Sequence, residues 1–295
     1  MMSATEVRPE EQSPPLVSVI IPCIDDTYLD EMLNSLTSQA GAPPFEVVVV
    51  DGSHSGAGKR LEDWQGRLRL QLVHGARGGV AGDLRNTGAG ASRGSFLLFV
   101  DADDTVDRGY VSSMADALES HDVACGGVDL SLLNPGVRAP IHAPESGLLT
   151  DMAFLPFADA GTLGLRRNLF RDVGGFDPIL RCYEAADLCW RIQLEGNGPP
   201  VFVSEARVHH RLARGRIRRW RKAVASGQAQ AFLYGRYRRS GMPRESLSDA
   251  LLEWCSLPWR LYRGFVGHST STVLRDVATR IGRLQGSLRY HVPYP

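Results

Sequence analysis

Leu97-Leu98-Phe99-Val100-Asp101-Ala102-Asp103-Asp104 decides the fold. Four apolar residues in a row read as a strand buried on both faces, as in a parallel sheet. Three carboxylates follow within four positions, where the strand ends. Carboxylates repel one another and are costly beside a core, so they gather only where a cation shares their charge or water surrounds them. Ligands of open α/β sheets bind beyond the carboxyl ends of the strands. An acidic cluster there is placed to hold a divalent metal, and hard oxygen donors suit magnesium or manganese. An isolated D-x-D is more often a solvated turn capping the next helix, so the neighbouring strands must choose between the two readings.

Outward from this stretch the pattern repeats. Leu16-Val17-Ser18-Val19-Ile20-Ile21-Pro22 is a β-branched strand stopped by Pro22, with Asp25 and Asp26 at its end. Tyr28 to Gln39 places Leu29, Met32, Leu33 and Leu36 at helical spacing. Phe45 to Val50 is a second strand and ends in Asp51-Gly52-Ser53. Strand, helix and strand joined by short loops imply parallel pairing through a right-handed crossover. Leu68 to Val73 alternates as a third strand, and Leu84 to Ala91 is a small-residue helix able to approach the sheet closely. Three strands therefore finish in carboxylates on one sheet edge, which favours a nucleotide-and-metal site over three unrelated turns. Further on, the pattern predicts a helix over Tyr110 to Ser120, a strand over Asp122 to Val128 and a loop from Leu130 to Thr150. A short helix near Leu169 to Val173, a turn at Gly174 to Pro178, a helix over Tyr183 to Leu194 and a strand from Pro200 to Val203 follow.

The chain has 295 residues, enough for one large α/β domain with an appendage. Hydrophobic residues make up 43% and charged residues 22%, ordinary for a soluble globular protein. Lys+Arg and Asp+Glu balance at 33 each, so no overall field points to nucleic acid. Acids dominate the strand ends, while arginine crowds the chain after Ala206. Five scattered cysteines without a C-x-x-C pair read as reduced thiols in a cytoplasmic protein. No apolar leader and no bilayer-length apolar run is visible, so no transmembrane segment is expected. Residues 1–15 are polar and read as a disordered tail, 16–210 as the α/β domain, and 211–295 as a helical extension of two or three helices.

Taken together, six stretches resemble glycosyltransferase family 2, with the GT-A fold. They are Val17-Ser18-Val19-Ile20-Ile21-Pro22, Val49-Val50-Asp51-Gly52-Ser53, Leu84-Arg85-Asn86-Thr87-Gly88, Phe99 to Asp104, Gly174-Gly175-Phe176-Asp177, and Glu184-Ala185-Ala186-Asp187-Leu188-Cys189-Trp190-Arg191. Each is weak alone, but together they stand in the family's order and spacing. The resemblance implies a mostly parallel sheet flanked by helices, and transfer of a glycosyl group from a nucleotide diphosphate sugar. It implies UDP as the nucleotide, a divalent metal (Mn2+ or Mg2+), inversion at the anomeric centre, and a small-molecule, glycan or peptide acceptor. It assigns Asp103 as direct metal ligand and Asp101 to ribose or the metal. Asp51 would contact the base, Pro22 and Ile24 would line its pocket, and Asp26, Gly52, Ser53, Ala102 and Arg85 would complete the nucleotide site. His209 and His210 fall where relatives place a third metal ligand. Successive residues of an extended segment point to opposite faces, so one of them enters the site, with the lean to His209.

One position departs from the family. Inverting relatives open the helix after the Gly-Gly-Phe-Asp turn with Glu-Asp, the Asp being the base; here the pair is Glu184-Ala185. Glu184 is read as a displaced base, the favoured choice, or Asp187 as a base one turn along, although the family equivalent of Asp187 normally supports the helix or pairs with an Arg such as Arg191. Alternatively the acceptor needs no base, or the chain binds nucleotide sugars without catalysis. A nucleotidyltransferase would want a Gly-rich, Lys-containing loop after the first strand, where Pro22-Cys23-Ile24-Asp25-Asp26 stands instead. The run from Arg211 to Arg221 could bind the diphosphate, an anionic acceptor or an acidic membrane surface, but reads mainly as a solvated helix face, with Arg211 or Arg214 near the phosphates. Trp254, Trp259, Tyr262 and Phe265 read as core or homo-oligomer contacts.

Overall fold

Three apolar runs become the parallel centre of an eight-stranded sheet. The structure, a computed structural model, describes residues 14–25, 27–53, 56–135, 147–212, 215–244, 246, 252, 255, 256, 259 and 270–294. Strands β1 (Val17–Cys23), β2 (Phe45–Asp51), β3 (Leu70–His74) and β4 (Phe96–Phe99) lie in the order β3-β2-β1-β4, all parallel. All seven residues of β1 are buried, as a strand covered on both faces requires. Register places Cys23 beside Asp51 and Ile20 beside Phe99, so the acidic ends of β2 and β4 do share one edge.

Beyond β4 the sheet changes direction. Strand β7 (Leu163–Arg166) runs antiparallel to β4, and β6 (Val123–Asp129) antiparallel to β7. Strand β8 (Val201–His209) is parallel to β6, and the two-residue β5 (Thr105–Val106) closes the sheet antiparallel to β8. Neither β5 nor β7 follows from the sequence pattern, because a run of two or four residues carries no period. Gly164 of β7 shows why pairing is a tertiary matter: a Cβ there would lie 2.6 Å from Leu98 Cδ2 and 2.7 Å from Met114 Cε. Strand β8 also extends well past the predicted Val203.

Helices cover the sheet through their apolar stripes. Helix α1 (Leu29–Thr37) buries Leu29, Met32, Leu33 and Leu36, and α4 (Tyr110–Ser120) buries Tyr110, Val111, Met114, Ala115 and Leu118. These join Val19, Ile21, Val47, Val49, Leu98 and Val100 in one core. Helix α2 (Gly58–Glu62) is a short addition. On α3 (Ala81–Ala91), Gly88 permits the close approach expected of a small-residue helix: a Cβ would meet Ile20 Cγ2 at 2.6 Å and Val50 Cγ2 at 2.8 Å. Helix α5 (Arg167–Asp172) follows β7 directly.

The chain divides into two compact units. The first holds the sheet. The second comprises Thr150–Leu155, Ile179–Asp187 and Ala213–Pro295. The sequence boundary at 210/211 thus misses two earlier segments that belong with the helical unit. Helix α6 (Glu184–Leu194) contributes its first turn to the second unit and the rest to the first. In the second unit, α7 (Arg216–Tyr237) lies against the last helix, Thr270–Tyr290. Backbones meet there because the contact is built of small residues: a Cβ on Gly227 would sit 2.7 Å from Arg283 N, and one on Gly286 2.8 Å from Ala231 Cβ. Gly282→Ala drives its methyl into Val224 O and within 3.0 Å of Gly227 Cα, main-chain atoms that cannot turn aside. We expect a loss of about 1–3 kcal/mol on urea unfolding, the usual scale of overpacking; unchanged stability would mean the helices do not meet at these glycines. Trp254, Tyr262 and Phe265 lie outside the described residues, while Trp259 is 61% exposed and so is not a core residue. Among the described residues no helix is long and apolar enough to cross a membrane.

Candidate active site

Asp51 ends β2 buried, with every close donor supplied by the loop that follows. Its Oδ1 accepts from Ser53 N (2.9 Å) and Ser53 Oγ (2.7 Å), and Oδ2 from Ala57 N (2.8 Å). Burial raises its proton affinity, but these hydrogen bonds outweigh burial and hold the carboxyl below its usual range. Gly52 keeps the turn tight, since a Cβ would meet Leu84 Cδ1 at 2.8 Å. Pro22 is buried within β1, and Ile24 is 45% exposed at the mouth of the strand. Asp26 lies outside the described residues.

Arg85 proves to be no surface residue. It projects from α3 with a side chain only 3% exposed, and its Nη2 stands 2.6 Å from Asp101 Oδ1. Phe176 lies under the guanidinium, with its ring centroid 5.6 Å away. The neighbouring Asn86 fixes that phenylalanine through its backbone, donating to Phe176 O (2.7 Å) and accepting from Phe176 N (2.9 Å). Gly174 and Gly175 take φ of 80° and 69°, a conformation glycine adopts without strain. Arg191 donates to the carbonyls of Val173 and Gly175, clamping the same turn. The Gly-Gly-Phe-Asp motif is thus a brace for the Arg85–Asp101 pair.

Asp104, not the D-x-D aspartates, is the hub of the acidic end. It is 1% exposed and accepts from Arg211 N at 2.8 Å, while His210 Nδ1 stands 3.0 Å from its other oxygen. Strand β5 makes this meeting possible by pairing Thr105 with His209 directly after the acidic turn. Burial lowers the proton affinity of His210, but Asp104, then Asp159 and Asp101, outweigh it and lift the ring to about 9. Burial raises Asp104 to about 6 against the pull of that ring. The pair is ionic at neutral pH. Arg211 closes the turn from outside: Nε donates to Asp103 O (2.9 Å), Nη2 meets Glu31 (2.6 Å), and the guanidinium covers Tyr28.

The lean to His209 is corrected. Its Nδ1 lies 2.7 Å from Asp129 Oδ2 and its Nε2 2.8 Å from Asp107 Oδ1, so both ring nitrogens are engaged away from the D-x-D. Alternation along β8 turns His210 to the acidic end instead. Nor do Asp101, Asp103 and a histidine form a ready cage. Among the described residues no three His, Cys, Asp or Glu side chains are gathered to hold a metal, Asp101 being drawn to Arg85. Ala102 is buried and Asp103 half-buried. Asp159, which caps the turn at Gly161 (2.9 Å), was not legible as part of this site. Its only local sign is an Asp before a small-residue turn, and its partner lies across the fold.

In the second unit, Asp187 is fully buried and bound by Arg236 Nη1 (2.6 Å) and Tyr237 Oη (2.7 Å). A carboxylate so enclosed cannot receive an acceptor's proton, so Asp187 is a structural residue rather than an alternative base. Its partner is Arg236, not Arg191. Glu184 opens α6 half-buried, and Ala185, 5% exposed, sits where the resemblance led one to expect the base. Tyr183, just before, takes φ 61°, and its hydroxyl accepts from Gln230 Nε2 at 2.9 Å. Arg283 Nε in turn donates to Gln230 Oε1 at 2.7 Å.

Parallel strands that end in a capped carboxylate, an Arg–Asp pair whose arginine is buried, and a carboxylate-held histidine mark the acidic end of an α/β sheet. The chain belongs to glycosyl transferase family 2, whose family model matches residues 18–174. The pre-mycofactocin glycosyltransferase of Mycobacterium tuberculosis is 28% identical over 300 residues, 96% of this chain and 58% of that protein. The chain therefore spans less than two thirds of that relative's length. Two solved structures share the fold. The mannosyltransferase PcManGT from Pyrobaculum calidifontis, in complex with GDP-Man and Mn2+, has a TM-score of 0.58 at 19% identity, covering 96% of this chain and 90% of that one. TarS 1-349 of Staphylococcus aureus, in complex with UDP-GlcNAc, has a TM-score of 0.54 at 20% identity, covering 95% and 93%. The GT-A fold and the family expected from the motifs are both met.

Proposed function

We propose that this protein transfers a glycosyl group from a nucleotide diphosphate sugar, UDP being the expected nucleotide, to an acceptor with inversion. The observation that carries the reading is the gathering of Asp51, the Arg85–Asp101 pair and the Asp104–His210 pair around the carboxyl ends of β2 and β4. Asp51, preoriented by Ser53 and Ala57, receives the base N–H. Asp101, held by Arg85, accepts from ribose. The donors suit a hard divalent cation in kind: Asp103 and Asp101 offer carboxylate oxygen, and His210 is oriented through Nδ1 by a buried carboxylate, as metal-bound histidines commonly are. The same negative field that keeps a proton on His210 favours such a cation. When bound, it would offset the charge of the departing diphosphate. Glu184 takes the proton of the acceptor hydroxyl.

A second reading, nucleotide-sugar binding without transfer, is favoured by one observation, the buried methyl of Ala185. Release of nucleoside diphosphate from donors with manganese separates the two, since a binding protein yields none. Within the site, Asp103→Ala should abolish the manganese-dependent part of nucleotide affinity by calorimetry while leaving the rest. Asp51→Ala should weaken nucleotide binding about tenfold with or without metal, the scale of a hydrogen bond to a charged group. If Asp51→Ala acted only when metal was present, its contact would not be the base.

A further inference from the structure

Beyond Arg211, the arginine run has no task in the site just described. Residues 213–295 carry 16 Arg and Lys against four Asp and Glu, a net charge of +12 in a chain whose total is zero. Arg216, Arg218, Arg219, Arg221 and Lys222 occupy the first two turns of α7, and all five are exposed. None of these side chains makes a hydrogen bond or ion pair among the described residues. Solvated helix faces usually mix both signs; five like charges in seven residues repel one another unless a polyanion lies against them.

Two apolar residues interrupt the run. Ile217 is 71% exposed and Trp220 36%. They stand three apart, on one side of the helix. At 100° per residue they continue the stripe that carries Val224, Gly227 and Ala231 further along, with Arg216 and Arg221 on either flank. Leu252 and Trp259 of the same unit are also exposed, at 67% and 61%.

We propose that the start of α7 docks this protein on an anionic lipid bilayer, Ile217 and Trp220 entering the acyl boundary and the flanking arginines reaching the lipid phosphates. The unpaired cations call for an anion, and the exposed apolar pair selects a bilayer among anions. Ile217 gains nothing against a nucleic-acid backbone, but it leaves water at headgroup depth. Tryptophan and arginine both suit that depth, their apolar parts inward and their polar ends in the phosphate layer.

Co-sedimentation of the full chain with phosphatidylglycerol–phosphatidylcholine vesicles tests this, beside pure phosphatidylcholine vesicles and a single-stranded oligonucleotide. The full chain should bind the anionic vesicles and leave them at high salt. Replacing Arg216, Arg218 and Arg219 together by Gln should lower partitioning about a hundredfold. Ile217→Ser with Trp220→Ser should lower it at least about tenfold, with the circular dichroism spectrum of each variant unchanged. Equal binding to neutral vesicles, undiminished binding by the Gln variant, or binding to the oligonucleotide without binding to vesicles would each overturn the proposal.

Discussion

Glu184→Gln should slow glycosyl transfer by about a hundredfold or more, the usual size of a lost general base. The substitution keeps the shape of the side chain and its capacity to hydrogen-bond while removing its proton affinity. Donor binding, measured by calorimetry with a nucleotide diphosphate, should barely change, because the proposed donor contacts are those of Asp51, Arg85 and Asp101. The effect then lies in kcat rather than in donor KM. Turnover by the variant at the parent rate would remove Glu184 from the mechanism and leave an acceptor reactive enough to need no carboxylate. Restoring the relatives' pattern with Ala185→Asp is not expected to help. Ala185 is buried, so the new carboxylate would lose hydration with no partner provided, and the variant should melt earlier than the parent.

Arg236→Ala is expected to be the most destabilising single change in the helical unit. Asp187 is fully buried, and Arg236 is the cation that compensates it. Removing one partner of a fully buried ion pair costs about 3–5 kcal/mol because the other charge stays desolvated; Arg236 is itself 36% exposed, so the loss should fall below that range. Asp187→Asn removes the charge but keeps an acceptor for Tyr237 Oη, so it should cost less than Arg236→Ala. Urea unfolding orders the two variants; a smaller loss for Arg236→Ala than for Asp187→Asn would mean that Asp187 is not held as an anion.

Much of the fold was legible because a doubly covered parallel strand must be apolar throughout, as β1 and β2 are. The acidic strand ends were legible for the converse reason, since carboxylates beside a core demand an explanation. What escaped was decided by contacts distant in sequence. Nothing in Thr105-Val106 says that it will pair with β8, yet that pairing brings His210 to Asp104 and turns His209 away. The burial of Arg85 was hidden because it depends on Phe176, about ninety residues on, which lies beneath it. The partner of Asp187 lies on α7 rather than on its own helix. The family resemblance pointed to Arg191, but Arg191 is spent on the glycine turn.

Tyr183 carries a consequence of another kind. A tyrosine in the left-handed region stores about 1–3 kcal/mol that a glycine would release. Drift at this position therefore pulls two ways. Glycine would relieve that strain, yet it would also delete the packed ring and the hydroxyl through which Gln230 and Arg283 anchor the residue preceding Glu184. At this residue backbone comfort is therefore set against the accuracy with which α6 begins. A stability-guided redesign that ranked positions by strain alone would choose Tyr183 early and would loosen the turn that presents Glu184.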